Sequence, residues 1–161
     1  MKVIDNFLTS EKFVALQKMF LSRDFPWYWG SDKVLGGDAL DNLYNWQLCH
    51  TFYEGNRTFS NYDIRSVIDT LKPNAIHRIK ANLTMYTPEI YEYGLHRDVD
   101  DFECNTAVYY LNTNNGYTVF ENGAKVESVA NRIVIFPSHM RHTGTSCTNA
   151  KRRVVLNLNY F

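Results

Sequence analysis

The chain has 161 residues, 45% of them hydrophobic and 21% charged, enough for one domain around a single core. Lys+Arg and Asp+Glu both number 17, so the formal net charge is zero; this speaks against a broad electrostatic footprint for nucleic acid or for an anionic membrane surface. Aromatics reach 15%, with 11 Tyr and 10 Phe, residues that suit half-buried strands and shift the expectation towards β structure.

The opening stretch, MKVIDNFLTSEKF, lacks the apolar core of a secretory signal, and no apolar run approaches membrane length. Cys49, Cys104 and Cys147 are odd in number, far apart and form no C-x-x-C pair. Reduced thiols and a cytoplasmic location are therefore expected, with no membrane partner. LTSEKFVALQKMFLSRD reads as a helix that Thr9 or Ser10 can cap, with Phe13, Leu16, Met19 and Phe20 on one face. Residues 25–41, FPWYWGSDKVLGGDALD, start as a short aromatic strand and centre on Gly36-Gly37. Their aromatics either close the core between helix and sheet or form a substrate wall that the glycines hinge. NLYNWQLCHTFYE is strand-like, and NYDIRSVIDTLK is a second helix stopped by Pro73.

From about Ile76 the texture changes. HRIKANLTMYT, CNTAVYYLN, GYTVFENG, KVESV, NRIVIFP and KRRVVLNLNYF are short, β-branched or aromatic, and separated by turn residues. The expectation is a single domain over 1–161. A helical, lid-like part over 1–75 would pack on a β-sandwich or barrel over 76–161.

The chemistry gathers around YGLHRDVDD. A kinase catalytic loop would need an Asn five residues after the Asp; here that position is Glu103, and no glycine-rich nucleotide loop precedes it. On a strand, the two-residue spacing of His96 and Asp98 puts both on one face, with Arg97 on the other. One imidazole and one carboxylate are two ligands of a 2-His-1-carboxylate triad, an arrangement diagnostic of non-haem iron(II) oxygenases. Alone, H-x-D is more often a solvated turn. A third ligand and an anchor both follow. After RIVIF and Pro137, His142 stands in a turn closed by Thr143-Gly144, and Arg153 opens the last strand eleven residues later. There Val154, Leu156 and Leu158 share one face; Arg153, Val155, Asn157 and Asn159 share the other. That polar face calls for a lined lumen, and a dicarboxylate would satisfy the arginine through a bidentate pair.

With these residues the chain resembles the iron(II)- and 2-oxoglutarate-dependent dioxygenases of the prolyl-4-hydroxylase-like group. The likeness runs over about Ile79 to Phe161. It rests on Tyr86 ten residues before His96-Arg97-Asp98, on VYYLN at Val108–Asn112, on FPSHMRH, and on Arg153 followed by VVLNLNYF. The resemblance implies a double-stranded β-helix, or jelly-roll, with helices packed on one sheet. It implies Fe(II) on His96, Asp98 and His142, and 2-oxoglutarate and O2 as co-substrates, with ascorbate as a reductant. It implies that Arg153 holds the distal carboxylate of 2-oxoglutarate, helped by Tyr110, and that Tyr86 lines that pocket. The implied reaction hydroxylates an aliphatic C–H of a prolyl, peptidyl or free amino-acid substrate, a small molecule or a peptide or protein, and releases succinate and CO2. A carboxylate at Asp98 favours hydroxylation over halogenation.

Rivals for each role are weaker. His139 falls early in its turn. Arg152 shares a face with Val154 and Leu156, so strand parity prefers Arg153. Asp100 and Asp101 read as solvated loop acids, and His50 and His77 as ordinary partly buried or surface residues. Tyr110 could instead be a core tyrosine. A cupin-like isomerase or metal-binding module would use more histidines and no such arginine. A nucleic-acid demethylase is opposed by the neutral charge.

Overall fold

Residues 1–30 and 43–161 are described in the computed structural model, and they fold mostly as strands. In chain order the elements are β1 (Lys2–Ile4), α1 (Ser10–Leu21), β2 (Tyr28–Gly30), β3 (Gln47–Glu54), β4 (Arg57–Thr58), α2 (Arg65–Leu71), β5 (Ile76–Met85), β6 (Asn105–Tyr110), β7 (Tyr117–Phe120), β8 (Lys125–Glu127), β9 (Ile133–Pro137), β10 (His142–Gly144) and β11 (Arg152–Tyr160). The large sheet runs β1-β9-β6-β11-β5-β3-β2, with β4 beside β3, and all its pairings are antiparallel. The smaller sheet runs β10-β7-β8. Single bridges Glu92–Thr145 and His96–His142 lay residues 92–96 along the outer edge of β10. The two sheets form a jelly-roll.

The alternation in β11 divides the interior into two cores, as its sequence predicts. Val154, Leu156 and Leu158 join Leu16 and Phe20 of α1 and Val67 of α2 in a core on the outer face of the large sheet. Val155 joins Val108, Tyr110, Phe120, Val126, Val134 and Phe136 in a second core between the sheets. The helical periodicity of residues 8–24 is realised in α1, where Leu16 and Phe20 are buried and Phe13 and Met19 partly so. Thr9 occupies the N-cap position without a side-chain cap bond, so packing rather than capping holds this helix. α2 starts later than its pattern suggests. The Asp63 carboxylate accepts from the Arg65 backbone N–H and guanidinium, a local turn that keeps the chain out of the helix until Arg65. It ends at Lys72, in the left-handed region (φ 55°), just before Pro73.

Three short strands, β1, β4 and β10, escape the sequence pattern, because two or three residues carry no readable period. His142, expected in a turn, opens β10. Asp98, expected on a strand, lies in a bend just beyond the His96 bridge. The segment 25–41 is described only to Gly30, so Gly36 and Gly37 lie outside the described residues. Within it, Phe25 and Trp27 pack with Phe20 and close the outer core. Tyr28 and Trp29 are exposed, and Trp29 stacks on Trp46. Among the described residues no helix is long and apolar enough to cross a membrane.

Beyond the β1–β9 pairing and the Asp5–Arg132 ion pair, Asn131 fastens the segment before α1 to the sheet. Asn131, in the left-handed region (φ 66°), accepts from the Leu8 N–H and the Tyr109 hydroxyl and donates to the Leu8 carbonyl. Asn131→Ala would strand these buried groups and place a residue with no local hydrogen bond at positive φ. Urea unfolding should show a loss of about 2–4 kcal/mol, against about 1 kcal/mol for Tyr109→Phe.

Candidate active site

Three side chains from different parts of the chain meet at one end of the inter-sheet space. Ligand-capable atoms of His96, Asp98 and His142 all lie within 4.8 Å of one another. Nε2 of His96 is 3.8 Å from Oδ1 of Asp98, and Nε2 of His142 is 3.9 Å from Oδ2. Paired backbone hydrogen bonds between His96 and His142 fix the two histidines side by side. Their rings are 4.9 Å apart. Each Nδ1 faces a backbone carbonyl, Gly94 at 3.3 Å and Met140 at 3.2 Å. A carbonyl only accepts, so Nδ1 is the donor there and Nε2 is the nitrogen turned inwards. Phe120 and Phe136 pack around the His142 ring. Two imidazoles and one carboxylate, converging from one side, form a donor set that fits iron(II).

Burial pushes the Asp98 carboxyl up, but His142, Arg78 and His96 and a hydrogen bond from Asn159 outweigh it, and its pKa is held below the ordinary carboxylate value. Arg78 Nη2 lies 3.3 Å from Oδ1, and Asn159 Nδ2 3.4 Å from Oδ2.

Arg153 stands at the other end of β11's inter-sheet face and is 3% exposed. Its Nε donates to Ser128 Oγ (2.8 Å) and its Nη2 to Thr118 Oγ1 (3.1 Å). Thr118 Oγ1 also accepts from the Tyr110 hydroxyl at 2.8 Å, and the guanidinium carbon sits 5.5 Å from the Tyr110 ring centre. Among the described residues no carboxylate pairs with Arg153. Burial lowers its pKa, partly offset by Tyr110. A Cβ at Gly144 would come within 3.0 Å of Nη1, and one at Gly116 within 2.9 Å of Cδ. The guanidinium therefore fits only because these two neighbours lack side chains. A buried cation that no carboxylate among the described residues neutralises fits a bound carboxylate.

β10 links the two ends. His142 opens it, and Gly144, against the Arg153 guanidinium, closes it. Two residues of strand span roughly 7 Å, a gap that a five-carbon diacid can bridge.

The expected residues are distributed as follows. His96, Asp98 and His142 come together, and Arg153 and Tyr110 come together at the far end of β10. Tyr86 does not join them: it continues the inter-sheet parity of β5 one step past the strand, but the residue is 52% exposed and stands outside the buried group. The tyrosine buried there is Tyr93, whose hydroxyl hydrogen-bonds Ser146 and whose pKa burial pushes up to about 12. No strand period marks Tyr93, because single bridges alone hold its segment. Arg78 was also missed, although Arg78, Lys80, Asn82 and Thr84 alternate along β5 as legibly as the polar face of β11 does. The rivals fall away: His139 is exposed, Asp100 and Asp101 are exposed, and Arg152 donates to the Leu21 carbonyl on the opposite face. His50 is buried between Pro26 O and Ser60 Oγ, and His77 packs edge-on against Phe102.

The fold and site define a 2-oxoglutarate-dependent dioxygenase that uses Fe(II), 2-oxoglutarate and O2. The profile of the 2OG-Fe(II) oxygenase superfamily matches residues 81–161, half of the chain, and the chain belongs to that superfamily. Among solved structures it is similar to a prolyl hydroxylase from Trichoplax adhaerens, in complex with a hypoxia inducible factor peptide fragment (17% identity, TM-score 0.66, covering 99% of this chain and 82% of that one). It is also similar to a prolyl-4-hydroxylase from Pseudomonas putida (18%, 0.59, 99% and 91%). A third is a 2OG-Fe(II) oxygenase family oxidoreductase from Burkholderia pseudomallei (12%, 0.66, 98% and 83%). At these identities the likeness is one of fold. No curated protein matches the chain by sequence.

The depressed Asp98 pKa has a pH signature. A carboxyl that titrates lower when folded contributes stability above its unfolded pKa of about 3.9. That contribution is lost as pH falls through the folded value. The stability gap between metal-free wild type and Asp98→Asn should therefore shrink as the pH falls below about 4, read by urea titration at each pH.

Proposed function

We propose that the chain hydroxylates an aliphatic C–H of a prolyl, peptidyl or free amino-acid substrate, coupled to decarboxylation of 2-oxoglutarate to succinate and CO2. One atom of O2 goes to succinate and the other to the substrate hydroxyl. The observation that carries this reading is the buried Arg153, paired with no carboxylate among the described residues, standing one short strand away from the His96–Asp98–His142 cluster.

In this reading His96 and His142 hold the metal through Nε2, and Asp98 through a carboxylate oxygen. When bound, the iron supplies O2 activation and the oxidising power. Arg153 takes the distal carboxylate of 2-oxoglutarate, with Thr118 and Tyr110 fixing the plane of the guanidinium. The keto acid is thereby oriented before any bond changes. Buried Tyr93 and the more exposed Tyr86 would line the 2-oxoglutarate pocket. Phe120, Phe136 and the partly buried Met140 exclude water from the His142 side. The peptide held by the Trichoplax adhaerens relative and the exposed Tyr28, with the Trp29–Trp46 stack, support an amino-acid or peptide substrate.

Anaerobic addition of Fe(II) and 2-oxoglutarate to the protein should give a visible charge-transfer band. His96→Ala and Asp98→Ala should abolish it. A wild type with neither the band nor slow succinate release would refute the reading. Arg153→Ala loses a charge-assisted pair and should raise the apparent Kd for 2-oxoglutarate about 10- to 100-fold, measured by titrating the same band.

A further inference from the structure

Arg78, Asn159 and Thr106 form one row across three adjacent strands: Asn159 of β11 faces Arg78 of β5 on one side and Thr106 of β6 on the other. The Asp98 carboxylate rests on this row. Arg78 Nε donates to Asn159 Oδ1 (3.1 Å), and Arg78 Nη2 contacts Asp98 Oδ1 (3.3 Å). Asn159 Nδ2 donates to Asp98 Oδ2 (3.4 Å) and to Thr106 Oγ1 (3.0 Å). The ring closes in only one sense. A guanidinium has no acceptor and a carboxylate no donor, so the Asn159 amide must turn its oxygen to Arg78 and its nitrogen to Asp98.

Asp98 needs such support. It sits in a bend, without the paired backbone bonds that fix His96 and His142. We propose that Arg78 and Asn159 are positioning residues that aim the Asp98 carboxylate at the two imidazoles. This rests on reading His96, Asp98 and His142 as the metal ligands. It makes a prediction whose sign is diagnostic. If Arg78 were only a counter-charge, its removal would relieve repulsion of an incoming dication, and the metal would bind more tightly. A residue that orients the ligand does the opposite: outer-shell partners of this kind are worth about 10- to 100-fold in metal affinity.

The test is Mn(II) titration of the whole protein, following free Mn(II) by electron paramagnetic resonance, with thermal unfolding of each metal-free variant in parallel. Arg78→Gln should bind Mn(II) about 10- to 100-fold more weakly than wild type. Arg78→Lys, which keeps the charge but cannot bridge to Asn159, should recover only part of the loss. Asn159→Ala removes no charge, so weaker binding there has no electrostatic origin, and it carries the test if Arg78→Gln does not fold. The double variant should lose less than the two single losses combined, because both act through one carboxylate. Unchanged or tighter Mn(II) binding by Arg78→Gln, or by Asn159→Ala where that variant carries the test, overturns the proposal and leaves the reading of the site standing. A wild type that does not bind Mn(II) overturns both.

Discussion

β11 is buried on both faces, and the rest of the site depends on how it solves that problem. One face is apolar and sits under the helices. The other carries Arg153 and Asn159 into the space between the sheets, where water cannot satisfy them. Burying such groups unpaired is costly, so each is met from outside the strand. Asn159 is met by Asp98, Thr106 and Arg78. Arg153 is met by Ser128 and Thr118, but by no anion among the described residues. The two ends of this strand are thus unlike: one is paired with a carboxylate of the chain, the other with none among the described residues.

The histidines follow a different logic. Neither lies in a long strand. They are locked to each other by a reciprocal pair of backbone bonds at the edge of the small sheet, and each ring is turned inwards by a carbonyl behind it. Backbone does for His96 and His142 what side chains do for Asp98. The candidate triad therefore has two rigid members and one steered member, and a change in the steering residues would be felt without touching any ligand.

Much of this was legible in the sequence where periodicity was strong. The last strand, the division of its faces, the choice of Arg153 over Arg152, and the helix over residues 10–21 all follow from patterns several residues long. The grouping of His96, Asp98 and His142 was legible from residue type and from resemblance more than from local structure: the parity argument placed Asp98 on a strand, yet a bend delivers it. What stayed hidden has two causes. β10 and the segment 92–96 are held by a few long-range bridges and carry no period of their own, so Tyr93 was invisible. Arg78 was missed for the opposite reason, since its alternating neighbours were plain and only its partner was not.

β10 also acts as a spacer whose length comes in whole residues. Its three positions are pinned to Phe120, Val119 and Thr118 in strict register, and its first and last residues face the two halves of the candidate chemistry. Side chains around it can be exchanged without altering that span. Inserting or deleting one residue cannot be absorbed in the same way, because a slip of one position would turn His142 to the other face of the sheet. Substitution is therefore cheap around this strand and a change of length within it is not, and descent with variation should leave the count between His142 and Gly144 untouched.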